Sequence, residues 1–372
     1  MIEPLPVKYR KIIAASVPLL EARGEQLTSH FYKRMMCLNP EVKKYFNQTR
    51  QRDGSQAKSL ARSVLLYAKN IEQLSRLEGF LESIIQKHVA LDIQPAHYHI
   101  VGSNLLASME EVFGEEIANP TFMKAWTQGY DQLAEILIGS EHEEYVHLYR
   151  EPGGWSSFRP FLIKDRVVEG PDIISLYLVP EDRNLVLSGE AGQYITLKVM
   201  LEHECRRSYS LSGPLSNKGY RITIKKIGSV SSYLHELEVG QRLKLRPPLG
   251  EFVINERALS PNADLIFIAG GIGVTPLAAF AHAGFQAKLL YYAKTEEDRI
   301  FMDEFREMTN ITLIDVESMP TKKDLRAHVT RFSQVYTVGP VEFMRAVNKI
   351  LDFMNFPPNQ RHFDFFGSTY DL

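Results

Sequence analysis

The first 148 residues carry apolar side chains at helical spacing, and they lack strand signals. In the run Leu77–His88, apolar residues fall at positions i, i+3, i+4, i+7 and i+8, which is the stripe of an amphipathic helix. Similar runs predict helices at 8–22, 25–38, 55–70, 72–88, 95–113 and 119–139, with breaks at Gly24, Asn39-Pro40, Asp53-Gly54, Pro95, Gly114 and Asn119-Pro120. This pattern predicts an all-α domain in which helix packs on helix.

His88 lies on the apolar face of the helix Leu77–His88. One interpretation is a core histidine whose ring nitrogens are satisfied by neighbours. The other is a metal or haem ligand, because a neutral imidazole in a dry pocket is a good axial ligand. The helix alone leaves both interpretations open.

After Glu151-Pro152-Gly153-Gly154 the hydrophobic pattern changes to short β-rich runs between Gly, Pro and Asn turns. These runs predict an antiparallel β-barrel. The predicted strands are Val167-Val168, Ile173–Val179, Tyr194–Val199, Tyr209–Leu211, Tyr220–Lys225 and Leu243–Leu245.

From about residue 259 the pattern is α/β. The continuous apolar run Asp264–Ala269 predicts a buried parallel strand, and strands at 287–293, 312–316 and 335–338 alternate with helices at 277–283, 301–308 and 341–354. We therefore expect three domains: an all-α domain at 1–148, an antiparallel β-barrel at 149–258 and an α/β nucleotide-binding domain at 259–372.

Composition excludes several classes of protein. Hydrophobic residues make up 44% and charged residues 24% of the 372 residues, as in ordinary globular proteins. A net charge of -2 offers no field that would attract nucleic acid or an anionic membrane. The two cysteines, Cys37 and Cys205, fit a reducing compartment and argue against a disulfide framework or a thiolate zinc site. The run 12–20 is interpreted as a first amphipathic helix rather than a signal peptide, and we expect a cytoplasmic monomer without stable membrane association.

Three motifs in the second half of the chain suit a dinucleotide. In Arg207-Ser208-Tyr209-Ser210, strand alternation places the arginine and the tyrosine on one face, although a half-exposed sheet strand would look the same. Gly228–Ser232 precedes a short helix and can form an anion site or an ordinary N-cap. Gly270–Pro276 joins a buried strand to a helix, and such glycine-rich turns let backbone N–H groups approach a phosphate.

Together these motifs identify a resemblance to flavohaemoglobins. In the helical third it is carried by His30-Phe31-Tyr32, Tyr45-Phe46-Asn47, Gln56…Leu60, Gln86-Lys87-His88 and Tyr98–Gly102, and in the rest by the Arg-x-Tyr-Ser motif and the glycine turn ending Thr275-Pro276. Singly, Tyr32 and Phe46 would be taken as core aromatics, and Gln56 and Glu141 as solvated side chains.

The resemblance implies a set of cofactors and site residues. It implies haem b on His88, with Tyr32, Gln56, Leu60 and Phe46 around the distal pocket, Lys87 beside the ligand, and Tyr98 and Glu141 as a proximal relay. It implies FAD on Tyr194, Arg207, Ser208, Tyr209, Ser210, Val230, Ser231, Ser232, Asp364, Phe365, Phe366, Gly367 and Ser368, and NAD(P)H on Gly271, Ile272, Gly273, Val274, Thr275 and Pro276.

The implied function is nitric oxide dioxygenase. Electrons from NAD(P)H would pass through FAD to the haem iron, whose bound O₂ oxidises nitric oxide to nitrate. Two alternatives stay open: an oxygen sensor or store kept reduced by its reductase, and a general diaphorase or lipid hydroperoxide reductase. The acidic cluster Glu296-Glu297-Asp298 would repel a 2′-phosphate, which favours NADH, although it can equally be a solvated loop.

The chain departs from the family pattern at three positions. Val338 stands where a cysteine is usual before Gly339-Pro340, Asp364 stands where a glutamate is usual, and Ser368 stands where a proline is common. The last domain is also shorter than usual before Gly339. The valine puts the rate of hydride transfer in question but leaves the binding turn intact.

Overall fold

A computed structural model describes residues 4–46, 54–314, 316 and 319–366. By backbone contacts the chain divides into two compact units. The first contains the residues up to His147 together with His203–Arg206, and the second contains Leu148–Glu202 and the residues from Arg207 onward. The predicted barrel and α/β domain therefore share one unit.

The first unit is helical, as the apolar spacing predicts. Its helices are α1 (Val7–Ala15), α2 (Val17–Leu38), α3 (Ser55–Lys69), α4 (Glu78–Ala90), α5 (Pro95–Phe113) and α6 (Pro120–Arg150), with 3₁₀ turns at Pro40–Tyr45 and Leu74–Leu77. Its core contains fully buried side chains such as Ile13, Leu27, Phe31 and Met109. Among the described residues, no helix has both the length and the apolar character needed to cross a bilayer.

Three helix boundaries differ from the prediction. The helix predicted from residue 72 begins at Glu78, after the 3₁₀ turn Leu74–Leu77. The predicted break at Gly24 is wrong, because α2 continues through it and the break falls at Ser16, before Pro18. A Cβ atom at Gly24 would lie 3.5 Å from the Cβ atom of Ala61, so the small residue serves close packing of α2 on α3. The last helix, α6, ends at Arg150 rather than near residue 139, and Glu141 therefore lies inside it.

The second unit begins with a six-stranded antiparallel sheet. Its strands are β1 (Arg159–Gly170), β2 (Ile173–Pro180), β3 (Tyr194–Met200), β4 (Glu204–Ser210), β5 (Tyr220–Lys225) and β6 (Arg242–Leu245), in the order β4-β3-β6-β1-β2-β5, and α7 (Ser229–Glu236) follows β5. A bridge from Leu211 to Ile222 connects the end of β4 to β5, the opposite edge of the sheet. This connection closes the sheet into the predicted barrel.

The α/β part is a five-stranded parallel sheet in the order β11-β10-β7-β8-β9. The strands are β7 (Leu265–Gly270), β8 (Ala287–Tyr292), β9 (Ile311–Ile314), β10 (Gln334–Val338) and β11 (Arg361–Asp364); the helices are α8 (Val274–His282), α9 (Met302–Glu307), α10 (Lys322–His328) and α11 (Val341–Phe353). The central strand β7 is buried along its length, as its continuous apolar run predicts.

Helices cover both faces of this sheet. Leu277 and Phe280 of α8 and Phe305 of α9 belong to one buried cluster, which also contains Ile173 and Ile254 of the barrel. Leu325 of α10 and the buried side of α11 belong to the cluster on the other face. The first cluster packs the barrel against the α/β sheet with an apolar interface.

Candidate functional site

His88 lies in the last turn of α4, and its Nδ1 atom is held by two buried neighbours. The distance from Nδ1 to Glu141 Oε1 is 2.7 Å, and that to Tyr98 Oη is 3.0 Å. Tyr98 also donates its hydroxyl proton to the same Glu141 oxygen. Glu141 is only 2% exposed. Three helices, α4, α5 and α6, thus bring together the three residues that the resemblance implies for the proximal side.

The protonation states follow from this geometry. Burial, together with the neighbouring Glu141 carboxylate, raises the pKa of Tyr98 far above its ordinary value. The tyrosine therefore stays protonated and acts as a donor. Because the carboxylate can only accept, His88 Nδ1 carries its proton and donates it to Glu141. This fixes the tautomer that leaves the Nε2 lone pair available.

Tyr130 supports the relay, and sequence reasoning missed it. Its hydroxyl donates to the backbone carbonyl of Tyr98 across 2.5 Å. A Cβ atom at Gly102 would lie 2.4 Å from the Tyr130 ring, so only glycine leaves room for the tyrosine. Gly102 inside a helical pattern was the available signal, because a mid-helix glycine often marks a close packing contact.

The predicted distal residues lie on neighbouring elements. Tyr32 of α2 meets Phe46 edge to face, with ring centroids 5.6 Å apart. Leu60 of α3 packs against the same core. Burial raises the pKa of Tyr32 well above its usual value, so its hydroxyl stays protonated. Gln56, four residues before Leu60, has a buried Oε1 atom without a hydrogen-bond partner among the described residues.

These residues fit a haem. Among the described residues, His88 Nε2 takes part in no hydrogen bond, and Gln56 Oε1 is a buried acceptor without a donor. In the part of the chain that the structure describes, no group of three or more His, Cys, Asp or Glu side chains could chelate a metal ion. Lys87, beside His88, is exposed.

The Arg-x-Tyr-Ser motif lies on β4 as predicted. Arg207 and Tyr209 share a face, and the arginine is near enough for its charge to lower the pKa of the tyrosine. Burial outweighs this effect and raises the pKa of Tyr209 to about 12. Ser210 is buried, while Ser208 is exposed and shares a 2.9 Å hydrogen bond with Thr196 on β3. A guanidinium beside a tyrosine face suits a diphosphate attached to a flat ring.

The Gly228–Ser232 turn starts helix α7, and its side chains divide into two roles. Ser231 accepts hydrogen bonds from the backbone N–H groups of Ile227 and Gly228, both at 2.8 Å, and donates to the Gly228 carbonyl at 2.9 Å. Its hydroxyl therefore shapes the turn from the third helical position, by accepting from the N–H group of the N-cap residue Gly228, and Val230 is buried. An anion here would meet backbone N–H groups and the half-buried Ser232.

The glycine-rich turn lies against the end of strand β10. Gly271 has a positive φ of 55°, and a Cβ atom at Gly273 would lie 2.4 Å from the backbone oxygen of Val338. Val274, Thr275 and Pro276 are buried in the first turn of α8, while Gly271 and Ile272 remain half-buried. The turn thus meets the Val338-Gly339 segment at the carboxyl edge of the sheet, where ligands bind in open α/β folds.

Strand β11 brings the chain end to the same edge. Asp364 pairs with Val338 in the sheet register. Burial raises the pKa of Tyr194 in the barrel, and the carboxylates of Asp364 and Glu251 raise it further, so Asp364 lies near the tyrosine hydroxyl. Phe365 is half-buried and Phe366 is exposed. Gly367 and Ser368 lie outside the described residues.

The acidic loop after β8 is only partly available to a ribose. Asp298 forms a 2.7 Å ion pair with Lys225 of the barrel. Glu296 and Glu297 are exposed. Only Glu296 and Glu297 of the acidic cluster would therefore repel a 2′-phosphate, because Lys225 neutralises the charge of Asp298.

Family models match the helical region and the barrel. The model described as "Globin" matches residues 29–137, and the model described as "Oxidoreductase FAD-binding domain" matches residues 161–254. A flavohemoprotein from Pseudomonas putida is 40% identical, over 99% of this chain and 100% of its own length.

Two solved structures are similar in fold. The flavohemoglobin from Malassezia yamatoensis with bound FAD and heme superposes with a TM-score of 0.86 at 24% identity, over 98% of this chain and all of that one. The flavohem-like FAD/NAD-binding domain of a nitric oxide dioxygenase from Vibrio cholerae superposes with a TM-score of 0.51 at 26% identity. It covers 56% of this chain and 98% of that one.

Proposed function

Because the chain belongs to the flavohaemoprotein family, sharing 40% identity with a flavohemoprotein over the full length of both, we propose that it is a nitric oxide dioxygenase driven by NAD(P)H. Its substrates would be O₂ and nitric oxide, and its product nitrate. The dioxygenase named for the Vibrio cholerae structure supports this choice of reaction.

The proposed cofactors are haem b, FAD and NAD(P)H. When bound, the haem would supply an iron that takes O₂, and the flavin would convert a two-electron hydride donor into single electrons. His88 would hold the haem. Arg207, Tyr209 and the turn at Gly228–Ser232 would hold the flavin, and Gly271–Pro276 would hold the nicotinamide dinucleotide.

The observation that carries the proposal is the buried network of His88, Tyr98 and Glu141. A carboxylate that accepts the Nδ1 proton of a ligating imidazole fixes the ring and raises the basicity of its other nitrogen. Stronger donation from the axial ligand favours cleavage of the O–O bond over reversible storage. An oxygen store has no need of a carboxylate that is 2% exposed and accepts from the histidine that would hold its haem.

On the distal side, Tyr32 would act as a donor. Its burial keeps the hydroxyl protonated at physiological pH. A protonated hydroxyl can orient a diatomic substrate by one hydrogen bond, and the carbonyl of Gln56 can accept one from a water. Phe46 and Leu60 would keep the pocket apolar, which strengthens those polar contacts.

We propose NADH as the preferred donor. The exposed Glu296 and Glu297 follow β8 at the carboxyl edge of the sheet, where a 2′-phosphate would meet two negative charges. The ratio of kcat/KM for NADH to that for NADPH tests this preference. A ratio below one would overturn it.

The proposed reaction is tested with the purified protein after haem and FAD have been supplied. An electrode would follow the loss of nitric oxide in aerated buffer with NADH, and nitrate would be quantified at the end. We expect one nitrate for each nitric oxide consumed, and no consumption without NADH. Oxidation of NADH at an undiminished rate with nitric oxide left intact would instead indicate a diaphorase.

A further inference from the structure

A partly buried cluster of charges links the barrel to the α/β sheet, away from the residues assigned above. Arg221 projects from β5, and its guanidinium forms a two-pronged ion pair with Glu304 of α9, with N–O distances of 2.6 and 3.0 Å. The arginine side chain is only 5% exposed. His282, the last residue of α8, lies 2.8 Å from the same carboxylate through its Nε2 atom.

Other contacts fix the guanidinium on its remaining sides. It donates to the backbone carbonyl of Ser212, and its central carbon lies 4.5 Å from the centre of the Phe301 ring. A Cβ atom at Gly213 would lie 2.9 Å from the arginine Cβ atom, so the glycine leaves room for the side chain. The arginine thus has one orientation with respect to both the barrel and the α/β part.

Phe301 adopts a conformation that a bulky residue rarely accepts. It has a φ of 64° at the start of α9, where glycine would be expected. Such strain persists only where the surroundings hold it, and it is concentrated at functional sites. Here the ring is buried, and one of its faces packs against Arg221.

A second ion pair extends the contact along the same strand. Lys225 lies four residues after Arg221, hence on the same face of β5, and its Nζ atom is 2.7 Å from Asp298. A Cβ atom at Gly170, the last residue of β1, would lie 2.9 Å from the backbone oxygen of Glu297. The segment from Glu297 to Glu304 is therefore docked on the barrel along its length.

The linked elements are those that carry the two predicted dinucleotide sites. Strand β5 leads within three residues to the Gly228–Ser232 turn, the proposed site of the flavin phosphates. Helix α8 begins at the glycine-rich turn and ends at His282, a nine-residue rod of about 13 Å. A change in the angle of α8 at His282 would therefore displace the turn at its other end.

We infer that Arg221, Glu304 and His282 are positioning residues that set the approach of the nicotinamide to the flavin. The apolar interface already holds the barrel against the sheet. A two-pronged ion pair on a buried arginine demands a defined geometry, and such a pair contributes more to orientation than to stability. Hydride transfer is sensitive to such orientation, since a displacement of 1 Å can cost a factor of about 100. The inference rests on the proposed reductase function, because it describes which residues align the site of that reductase.

The test uses the holoenzyme in two variants of the cluster, Glu304→Gln and His282→Gln. The matched control is Asp303→Asn, because Asp303 is the neighbouring residue of α9, is 94% exposed and pairs with Arg306 on its own helix. Anaerobic stopped-flow would measure the limiting rate of flavin reduction by NADH and the Kd of NADH. The absorbance of the charge-transfer band between reduced flavin and NAD⁺ would report how the two rings are stacked, independently of turnover.

We expect both cluster variants to reduce the flavin about 10- to 100-fold more slowly than wild type, with the Kd of NADH changed less than about threefold. The charge-transfer band should weaken in the same variants, and Asp303→Asn should match wild type in every measurement. If Glu304→Gln fails to fold or to retain FAD, the inference is tested with His282→Gln alone, because this variant leaves the Arg221–Glu304 pair in place.

Two results would overturn the inference. In the first, the variants retain FAD and show the flavin reduction rate and charge-transfer absorbance of wild type. The cluster would then only hold the barrel to the α/β part, without orienting the two rings. In the second, the rate of flavin reduction in the cluster variants falls only in proportion to the FAD that they have lost. A wild-type protein that holds FAD but is reduced by neither NADH nor NADPH would refute the proposed reductase itself, and the inference with it.

Discussion

The substitution Glu141→Gln tests the proximal network most directly, because it removes a charge and almost nothing else. Both His88 and Tyr98 donate to the same oxygen, Oε1. A glutamine whose amide oxygen takes that position can therefore accept both hydrogen bonds. The side chain keeps its size inside a site that is 2% exposed, so no cavity forms.

The magnitude follows from the two bonds that lose their charge. Hydrogen bonds to a charged group contribute about 1.5–3 kcal/mol, and neutral ones about 0.5–1.5 kcal/mol. Neutralising the acceptor of two bonds thus weakens the network by about 2–3 kcal/mol, and the part of this that reaches the axial nitrogen lowers its basicity. Removal of such a partner behind a ligating histidine typically costs 10- to 100-fold in activity or affinity.

We expect Glu141→Gln to lower the turnover number for nitric oxide consumption 10- to 100-fold in the haem- and FAD-loaded protein. The iron–histidine stretching frequency in the resonance Raman spectrum of the reduced protein should fall, because the imidazole donates less. The matched control is Glu143→Gln, an exposed residue two positions further along α6. A lower stretching frequency with turnover within threefold of wild type would refute the claim that proximal donation drives the reaction.

Three further outcomes follow from the described contacts. Gly102→Ala would place a methyl group 2.4 Å from the Tyr130 ring, so we expect a loss of about 1–3 kcal/mol of unfolding free energy, whereas unchanged thermal unfolding would contradict that packing. Gly273→Ala would place a methyl group 2.4 Å from the backbone oxygen of Val338. Isothermal titration should show NADH binding weakened at least tenfold, with the FAD content unchanged. Equal Kd values for NADH would contradict the proposal that this turn binds the nicotinamide dinucleotide. The pKa of Glu304 is lowered from 4.5 to about 2 by His282 and by the guanidinium beside it, against an opposing effect of burial. Its stabilising effect is therefore fully present above about pH 4.5 and is lost as the pH falls towards 2. Because a third of the side chain is exposed, we expect a stability advantage over Glu304→Gln of about 1–2 kcal/mol at pH 6; an advantage that persists at pH 2 in denaturant titrations would contradict this.

Much of the fold was predicted from local patterns. Helical spacing in the first third, short β-rich runs in the middle and a buried apolar run before a glycine turn predicted the three architectures, and the structure has all of them. These patterns are readable because the spacing of apolar side chains reflects which face of an element is buried. Helix α10 was missed, although Thr321 and Asp324 form the capping box that signals its start.

The errors arose where a distant contact outweighs a local preference. Gly24 was predicted to break a helix, but the approach of α3 makes a small residue favourable inside α2. Glu141 was expected after the last helix and lies within it, because α6 continues past residue 139. Helix propensity is a weak prior that packing routinely overrides.

By itself, the sequence determined the family, the order of the three architectures and the residue types that can bind haem, flavin and nicotinamide, because these depend on local spacing and on motifs a few residues long. Only the tertiary structure decided which donors meet at one atom. Both His88 and Tyr98 point at Glu141 Oε1, and Arg221 and His282 converge on Glu304. Those pairings join residues from 22 to 83 positions apart in the chain. Their geometry is set by how whole elements pack, which no local pattern records.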